Sequence, residues 1–327
     1  MERPRVRTIS SPNGSMQDNG RFNGFFREMT RNKTIYLMAI PAMLLLFVFN
    51  YIPLAGLVIA FKNFKAGNGI FGSEWAQPLY ANFMVLLSSG QAVRAIRNTL
   101  LLNALFISTG VLVEVSFALM LNEVKNHWFR RITQSVSFLP FFISWIVVGI
   151  FSYNLMNYEY GAINNLIAGF GLERIDFYTD ASLWPAILTI AVRWKSTGYG
   201  AVIYLAALSG IDPSYYEAAE IDGANHWQQI RFISLPMLMP TVTILTLLAI
   251  GRIMNADFGM FYAMVGDAPL VFPTTDVIDT FVYRGLRKTG DIGMSSATGF
   301  FQSILSFVLI LCSNAIARKI DSDSALF

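Results

Sequence analysis

Six long apolar stretches dominate this sequence, and each is long enough to form a helix across a membrane. A helix needs about 20 apolar residues to cross the roughly 30 Å of hydrocarbon in a bilayer. None of the stretches shows the alternation of polar and apolar residues that is typical of membrane β-barrels, so only helices fit. The predicted spans are residues 34–61, 98–121, 132–153, 182–209, 237–262 and 296–317. The sequence therefore predicts an all-α integral membrane protein with six transmembrane helices.

The composition agrees with a membrane protein and gives no support to an enzyme. Charged residues make up 14% of the chain, whereas soluble domains carry about 25%. The segment 67–72 has the glycines of a phosphate-binding loop, but Ser73 and Glu74 stand where Lys and Ser or Thr are needed. Cys312 is the only cysteine, and the two histidines show no metal-ligand spacing. We therefore expect no catalytic residues, no metal site, no cofactor in this chain and no nucleic-acid partner.

The distribution of lysine and arginine predicts which segments face the cytoplasm, because cytoplasmic loops carry an excess of both. With the N-terminus inside, thirteen of these residues fall in inner segments and eight in the longer outer loops. Both termini are therefore expected in the cytoplasm. Residues 1–33 are predicted to be partly disordered or to form an interfacial helix around Phe22 to Met29. Residues 34–318 form the predicted transmembrane domain, and residues 319–327 form a cytoplasmic tail.

A polar loop, residues 212–236, separates the fourth and fifth predicted spans and lies inside in this orientation. Asp212 is a good N-cap, and Pro213 suits the first turn of a helix because its missing N–H would be unpaired there. Gly223 can end a helix in a left-handed conformation. A short helix over residues 213–222 is therefore expected where a cytosolic partner could reach it.

The loop resembles the EAA loop of the permease subunits of ABC importers. Glu217-Ala218-Ala219 is followed after three residues by Gly223 and after a further eleven by Leu235-Pro236, and Pro236 is expected to open the next helix. The flanking stretches 194–199 and 273–280 resemble the carbohydrate-uptake branch, most of all the permeases for oligosaccharides such as alginate fragments. The resemblance covers roughly residues 30–320.

This resemblance implies one of the two membrane-spanning halves of a binding-protein-dependent sugar importer in the bacterial cytoplasmic membrane. The expected partners are a second homologous permease in a heterodimer, two cytosolic ATP-binding subunits that hold ATP and Mg, and a periplasmic or extracellular solute-binding protein. The loop helix would then transmit motion from the ATP-binding subunits to the spans. The residues expected to couple to the ATPase are Tyr216, Glu217, Ala218, Ala219, Glu220, Asp222, Gly223, Ala224, Leu235 and Pro236.

Charged side chains inside the predicted spans are further candidates, because charges are costly in lipid and are usually paired or functional there. Of Arg193 and Lys195, one is expected to pair with Glu114 or to reach the membrane surface, while the other lines a pathway. The resemblance adds the mid-span positions that contact sugar in the family. The expected substrate pathway consists of Arg193, Trp194, Lys195, Tyr199, Arg252, Asn255 and Asp257.

The balance of charge in spans four and five favours an acidic oligosaccharide over a neutral one. Three cations, Arg193, Lys195 and Arg252, stand against one acid, Asp257, and cations bind carboxylates by strong charge-assisted hydrogen bonds. In the alternative, Arg252 neutralises a carboxylate on the partner permease. A stand-alone ion-coupled transporter, with Glu114 and Asp257 as ion carriers, remains a second class of function, although no inverted repeat is visible. A membrane enzyme would need a catalytic cluster that the sequence lacks.

Overall fold

The computed structural model describes residues 31–320 of the chain. The helix predicted around Phe22 to Met29 and most of the predicted tail lie outside these residues. The described part forms two units that divide between Gly56 and Leu57. The first predicted span is one continuous helical run, because α1 (Lys33–Leu46) passes through a π-helical turn, Phe47–Tyr51, into a 3₁₀ segment, Ile52–Phe61.

Among residues 57–320, the regular structure of the second unit is helical apart from one short antiparallel pair of strands, β1 (Lys62–Asn63) and β2 (Glu74–Trp75). Its first helices are α2 (Gly69–Gly72), α3 (Ala81–Ser88), α4 (Gly90–Glu123), α5 (His127–Phe138), α6 (Trp145–Met156), α7 (Ala162–Gly169) and α8 (Trp184–Ser209). The remaining helices are α9 (Ser214–Ile221), α10 (His226–Gln229), α11 (Leu235–Ile250), α12 (Phe258–Val265), α13 (Phe272–Thr275), α14 (Ile278–Arg284) and α15 (Ile292–Ile320). Shorter π-helical and 3₁₀ segments are Ala66–Asn68, Leu139–Phe142, Ile230–Ser234, Pro269–Val271 and Gly285–Thr289.

Four helical runs among the described residues are long and apolar enough to cross a bilayer: Lys33–Phe61, Gly90–Glu123, His226–Ile250 and Ile292–Ile316. They correspond to the first, second, fifth and sixth predicted spans. Helix α8 coincides with the fourth predicted span and, with 26 residues, is long enough to cross a bilayer. Its polar middle keeps it out of the apolar group, so the count of six remains a prediction.

The third predicted span, residues 132–153, is not one straight helix. The structure places α5 and the 3₁₀ segment Leu139–Phe142 on one side of a 95° bend, and α6 on the other. Ser144 begins α6 as its N-cap, with its hydroxyl accepting the Val147 N–H at 3.4 Å. Apolar content alone could not show the bend, because it does not report the direction in which the chain runs.

The fifth predicted span, residues 237–262, has the wrong boundaries. The helical run begins at His226 and ends at Ile250, and a non-helical break at 251–257 precedes α12. Gly251 opens the break, and Asp257 closes it as the N-cap of α12 by accepting the Met260 N–H at 3.1 Å. Asp257 is therefore a capping residue at a helix break rather than a charge in mid-helix.

The segment after α12, predicted as an outer loop, is largely buried against α4. Val277 and Ile278 are fully buried. The Asn98 amide donates to the backbone oxygen of Asp276 at 3.1 Å, and the Ile278 N–H donates to the Thr99 hydroxyl at 2.9 Å. The segment is thus not a free loop, because it contains α13 and α14 and its backbone is hydrogen-bonded to α4.

Two of the three apolar clusters among the described residues hold α4 against α8. The larger joins α4, α6, α8 and α12 around Phe106, Trp184 and Phe261, and the other joins α4, α8 and α11 around Tyr204 and Leu238. Small residues allow close helix contacts in both regions. A Cβ on Gly198 would clash with the Ser137 backbone, so α5 packs directly on α8.

Candidate functional site

A cavity of about 400 Å³, which we call the central cavity, lies between α4, α8, α11 and the break that follows α11. Four of the seven residues predicted for the substrate pathway line it, namely Arg193, Tyr199, Arg252 and Asn255. Its other polar lining residues are Asn103, Glu114, Ser196, Tyr204 and Thr246. The cavity therefore combines aromatic, amide, hydroxyl and guanidinium groups, which are the groups that recognise hydroxylated and charged ligands.

Arg193 and Glu114 form an ion pair on the wall of this cavity. The Arg193 Nη1 to Glu114 Oε1 distance is 2.9 Å, and the two side chains are only 15% and 17% exposed. Two glycines leave room for the pair: a Cβ on Gly110 would lie 2.5 Å from Arg193 Nη1, and one on Gly200 would clash with the Glu114 carboxylate. The ion pair thus joins α4 to α8, and Arg193 is the cation that pairs with Glu114.

Arg252 presents the free cation of the cavity. It is exposed at the start of the break, and within residues 31–320 its guanidinium has no hydrogen-bond or ion-pair partner. Asn255 lies nearby on the same lining and accepts a hydrogen bond from Gln302 Nε2 at 3.0 Å. A buried anion or a carboxylate of another subunit could bind Arg252 without displacing any contact seen here.

Side chains from three helices satisfy the backbone of the break at 251–257. Asn103 Nδ2 donates to the Ile253 oxygen and Gln302 Nε2 donates to the Met254 oxygen, both at 2.7 Å. The Ala256 N–H donates to Asp279 Oδ2 at 2.9 Å. Sequence reasoning missed these residues because it examined charges in the spans, whereas Asn103 and Gln302 are uncharged.

Lys195 and Asp257 line a neighbouring cavity of about 220 Å³. Lys195 donates to three backbone carbonyls at the bend before α6, and Asp257 accepts the Trp145 indole N–H at 2.6 Å. Both charges are therefore engaged within the protein. Trp194 lies apart from both cavities and lines an apolar one of about 690 Å³ with Val147 and Phe151.

The predicted helix of the 212–236 loop is α9, from Ser214 to Ile221. Asp212 accepts the Ser214 N–H at 2.9 Å, and this backbone hydrogen bond together with that of the Ser214 side chain lowers the pKa of Asp212. Gly223 has a φ of 80°, the left-handed conformation expected of it. The local features of this helix thus follow the sequence prediction.

The side chains predicted to couple to a partner lie mostly on the outside of this loop. Glu217, Ala218, Glu220, Asp222 and Gly223 are exposed, whereas Tyr216, Ala219 and Ala224 are half-buried. The Tyr216 hydroxyl and the Ser234 hydroxyl are 2.9 Å apart and fasten α9 to the following helical run. An exposed face on a fastened helix suits contact with another protein.

Pro236 lies in the first turn of α11 (Leu235–Ile250), as predicted, but the longer helical run does not begin there. The run has already begun at His226, where Asn225 and Gln228 form a capping box, and it passes through the π-helical turn Ile230–Ser234 before reaching Leu235 and Pro236. Both of these residues are exposed. The π-helical turn accommodates Pro236, which has no backbone N–H to donate to a regular helical hydrogen bond.

Among residues 31–320, no group of three or more His, Cys, Asp or Glu side chains is arranged to hold a metal ion.

Comparison with known proteins identifies the family. Residues 107–323 match the family model described as binding-protein-dependent transport system inner membrane component. The chain is 32% identical to the polygalacturonan/rhamnogalacturonan transport system permease protein YteP of Bacillus subtilis (strain 168), over 89% of this chain and 90% of that protein. It is 34% identical to the protein LplB of the same organism, over 90% of this chain and 92% of LplB.

A solved structure shares the fold over nearly the whole chain. A crystal structure of a bacterial ABC transporter involved in the import of the acidic polysaccharide alginate superposes with a TM-score of 0.82 and 31% identity, covering 91% of this chain and 99% of that one. The helical bundle and the family match both indicate a membrane permease. The chain belongs to the binding-protein-dependent inner membrane components and is a multi-pass permease subunit of a carbohydrate ABC importer.

Proposed function

We propose that this permease is one half of an ATP-driven importer of acidic oligosaccharides, such as alginate fragments, and that Arg252 binds a substrate carboxylate. One observation carries this proposal: Arg252 lines the central cavity with no partner among the described residues. Two of the related transporters are named for acidic polysaccharides, alginate for the similar structure and polygalacturonan for YteP, whereas others are named for the neutral sugars trehalose, maltose and lactose. A uronate supplies one carboxylate for each sugar ring, which a guanidinium can bind through two hydrogen bonds.

The structure reduces the number of cations in the spans that are available to a substrate carboxylate. Arg193 pairs with Glu114, and Lys195 is bound to backbone carbonyls, so two of the three cations counted in the sequence are already compensated. Arg252 remains, and a guanidinium is more weakly hydrated than an ammonium, which lowers the cost of burying it with a substrate. Tyr199 and Asn255 on the same lining supply a ring face and an amide for the rest of a sugar.

In this proposal the transport energy comes from partner subunits. Two cytosolic ATP-binding subunits hold ATP and Mg, contact α9 and its exposed Glu217 and Glu220, and move the spans between two arrangements. A second homologous permease completes the cavity, and a solute-binding protein delivers the sugar, as in the alginate transporter solved in complex with its pentasaccharide-bound periplasmic protein. The chain lies in the bacterial cytoplasmic membrane with both termini in the cytoplasm.

The stand-alone ion-coupled alternative is disfavoured by the same contacts. Glu114 and Asp257, its ion carriers, are engaged with Arg193 and Trp145 respectively. Protonating Glu114 would therefore remove the charge that pairs with Arg193 and joins α4 to α8, and protonating Asp257 would weaken the hydrogen bond that it accepts from Trp145.

The test is uptake by the assembled complex in proteoliposomes, with matched acidic and neutral oligosaccharides of equal length. Arg252→Gln should raise the KM for the acidic sugar by about tenfold or more, since a charge-assisted hydrogen bond contributes about 1.5–3 kcal/mol. The matched control is Arg318→Gln at the exposed end of α15. Uptake of neutral oligosaccharides alone would refute the substrate class. Dissociation of the Arg252→Gln complex would make Arg252 an interface residue instead.

A further inference from the structure

The bend before α6 creates a demand for hydrogen-bond donors. Carbonyls at the end of a helical segment have no partner within it, and inside a membrane such groups must be satisfied by the protein. The chain turns by 95° between Phe142 and Trp145. A side chain from another helix has to supply the donors.

Lys195 on α8 supplies them. Its ammonium donates to the oxygens of Phe141 and Ile143 at 2.6 Å each and to that of Pro140 at 3.3 Å. It also lies 5.4 and 5.5 Å from the ring centroids of Phe141 and Trp145, within the range of a cation–π attraction. An ammonium has three N–H donors, so these three carbonyls use all of them and none remains for a ligand.

The bend in turn shapes the wall of the central cavity. The ring of Phe141 stacks on that of Tyr199 with centroids 4.2 Å apart and an interplanar angle of 7°, and Tyr199 lines the cavity. On the other side of the bend, Trp145 donates to Asp257, which caps α12 at the end of the 251–257 break. Lys195 therefore connects α8, the bend, the Tyr199 wall and the 251–257 break.

We propose that Lys195 is a positioning residue of the transport cavity and not a sugar ligand: it fixes the bend, which holds Phe141 against Tyr199 and Trp145 against Asp257. This inference rests on the proposed function only for the identity of the substrate that the cavity binds. The contacts that support the role of Lys195 involve no ligand. It also distinguishes Lys195 from Arg252, although both are cations within the predicted spans.

The direct test is hydrogen–deuterium exchange of the purified complex without any saccharide. Lys195→Met keeps the length of the side chain and removes its donors, so amides in residues 139–148 should exchange roughly tenfold faster or more. Lys195→Arg keeps the charge but spreads its N–H donors over a planar fork, which does not match three carbonyls that converge on one nitrogen, and should also raise exchange there, though by less. Lys288→Met, at an exposed lysine outside the bundle, is the matched control and should leave that segment unchanged.

Unchanged exchange across 139–148 in Lys195→Met would overturn the proposal. If that variant does not assemble, Lys195→Arg decides: exchange equal to that of the parent would overturn it as well. Because no sugar is present, the outcome does not depend on which substrate the complex transports.

A second readout separates positioning from ligand binding. In proteoliposomes, Lys195→Met should raise the KM for acidic and neutral oligosaccharides by the same factor, because the cavity wall loses its shape. A rise for the acidic sugar alone would make Lys195 a carboxylate ligand and contradict the proposal. The selective loss is expected only for Arg252→Gln, so failure of the substrate assignment shows in that variant and not in this one.

Discussion

The Arg193–Glu114 ion pair allows a quantitative test of how the bundle is held together. Glu114→Leu removes one partner and leaves a guanidinium that is 85% covered by protein, since the Arg193 side chain is 15% exposed. Removing one member of a buried pair costs about 3–5 kcal/mol, because the remaining charge is uncompensated. Replacing both members, as in Glu114→Leu with Arg193→Met, should cost far less, since apolar pairs of similar volume are often neutral or stabilising.

The assay is thermal unfolding of the purified complex, followed for the two single variants and the double variant. A matched control is Glu123→Leu, whose partner His226 lies at 3.5 Å and whose side chain is 38% exposed; exposed pairs contribute about 0–1 kcal/mol. The midpoint temperature of unfolding should fall strongly in Glu114→Leu and in Arg193→Met, and it should recover in the double variant. A double variant as unstable as Glu114→Leu, or a Glu114→Leu variant no worse than the control, would refute the role assigned to the pair.

Two further predictions concern the 212–236 loop. Gly223→Val should uncouple transport from ATP hydrolysis while membrane insertion persists, because a β-branched residue at a φ of 80° costs about 1 kcal/mol or more. The control is Gly210→Ala, at a φ of −86°. Normal coupling in Gly223→Val would show that the loop takes no part in the mechanism. The other prediction concerns the topology. In a Cys312→Ala background, Ser214→Cys should be protected from a membrane-impermeant thiol reagent in intact cells, and Glu173→Cys should react with it. Labelling of Ser214→Cys from outside would mean that the loop faces the exterior and that the predicted topology is inverted.

The helical elements follow from the sequence because their causes are local. Apolar runs predict helices, and Asp212 and Gly223 predict the ends of α9 from capping and backbone preferences alone. The family motif lies where these signals place it. The Glu114 partner was narrowed to Arg193 or Lys195 because few charges exist in the spans to choose from.

The helix breaks could not be predicted in the same way. The bend before α6 and the end of α11 at Ile250 depend on donors and acceptors far away in the sequence, such as Lys195 and Asn103, that satisfy the exposed backbone. Judged from its neighbours in sequence alone, each of those side chains is compatible with an ordinary helix. The assignment of Lys195 and Trp194 to one substrate pathway had the same weakness, since neighbours in sequence face different cavities on a helix.

The central claim is that this permease works as half of an ATP-driven sugar importer. The most direct measurement is ATP hydrolysis by the complex purified from native membranes through this chain and reconstituted in liposomes, with and without sugar-loaded solute-binding protein. We predict that a second permease and ATP-binding subunits copurify, and that the loaded binding protein stimulates hydrolysis together with uptake. Purification of the chain without an ATPase, with uptake driven by an ion gradient in the absence of ATP, would contradict the account.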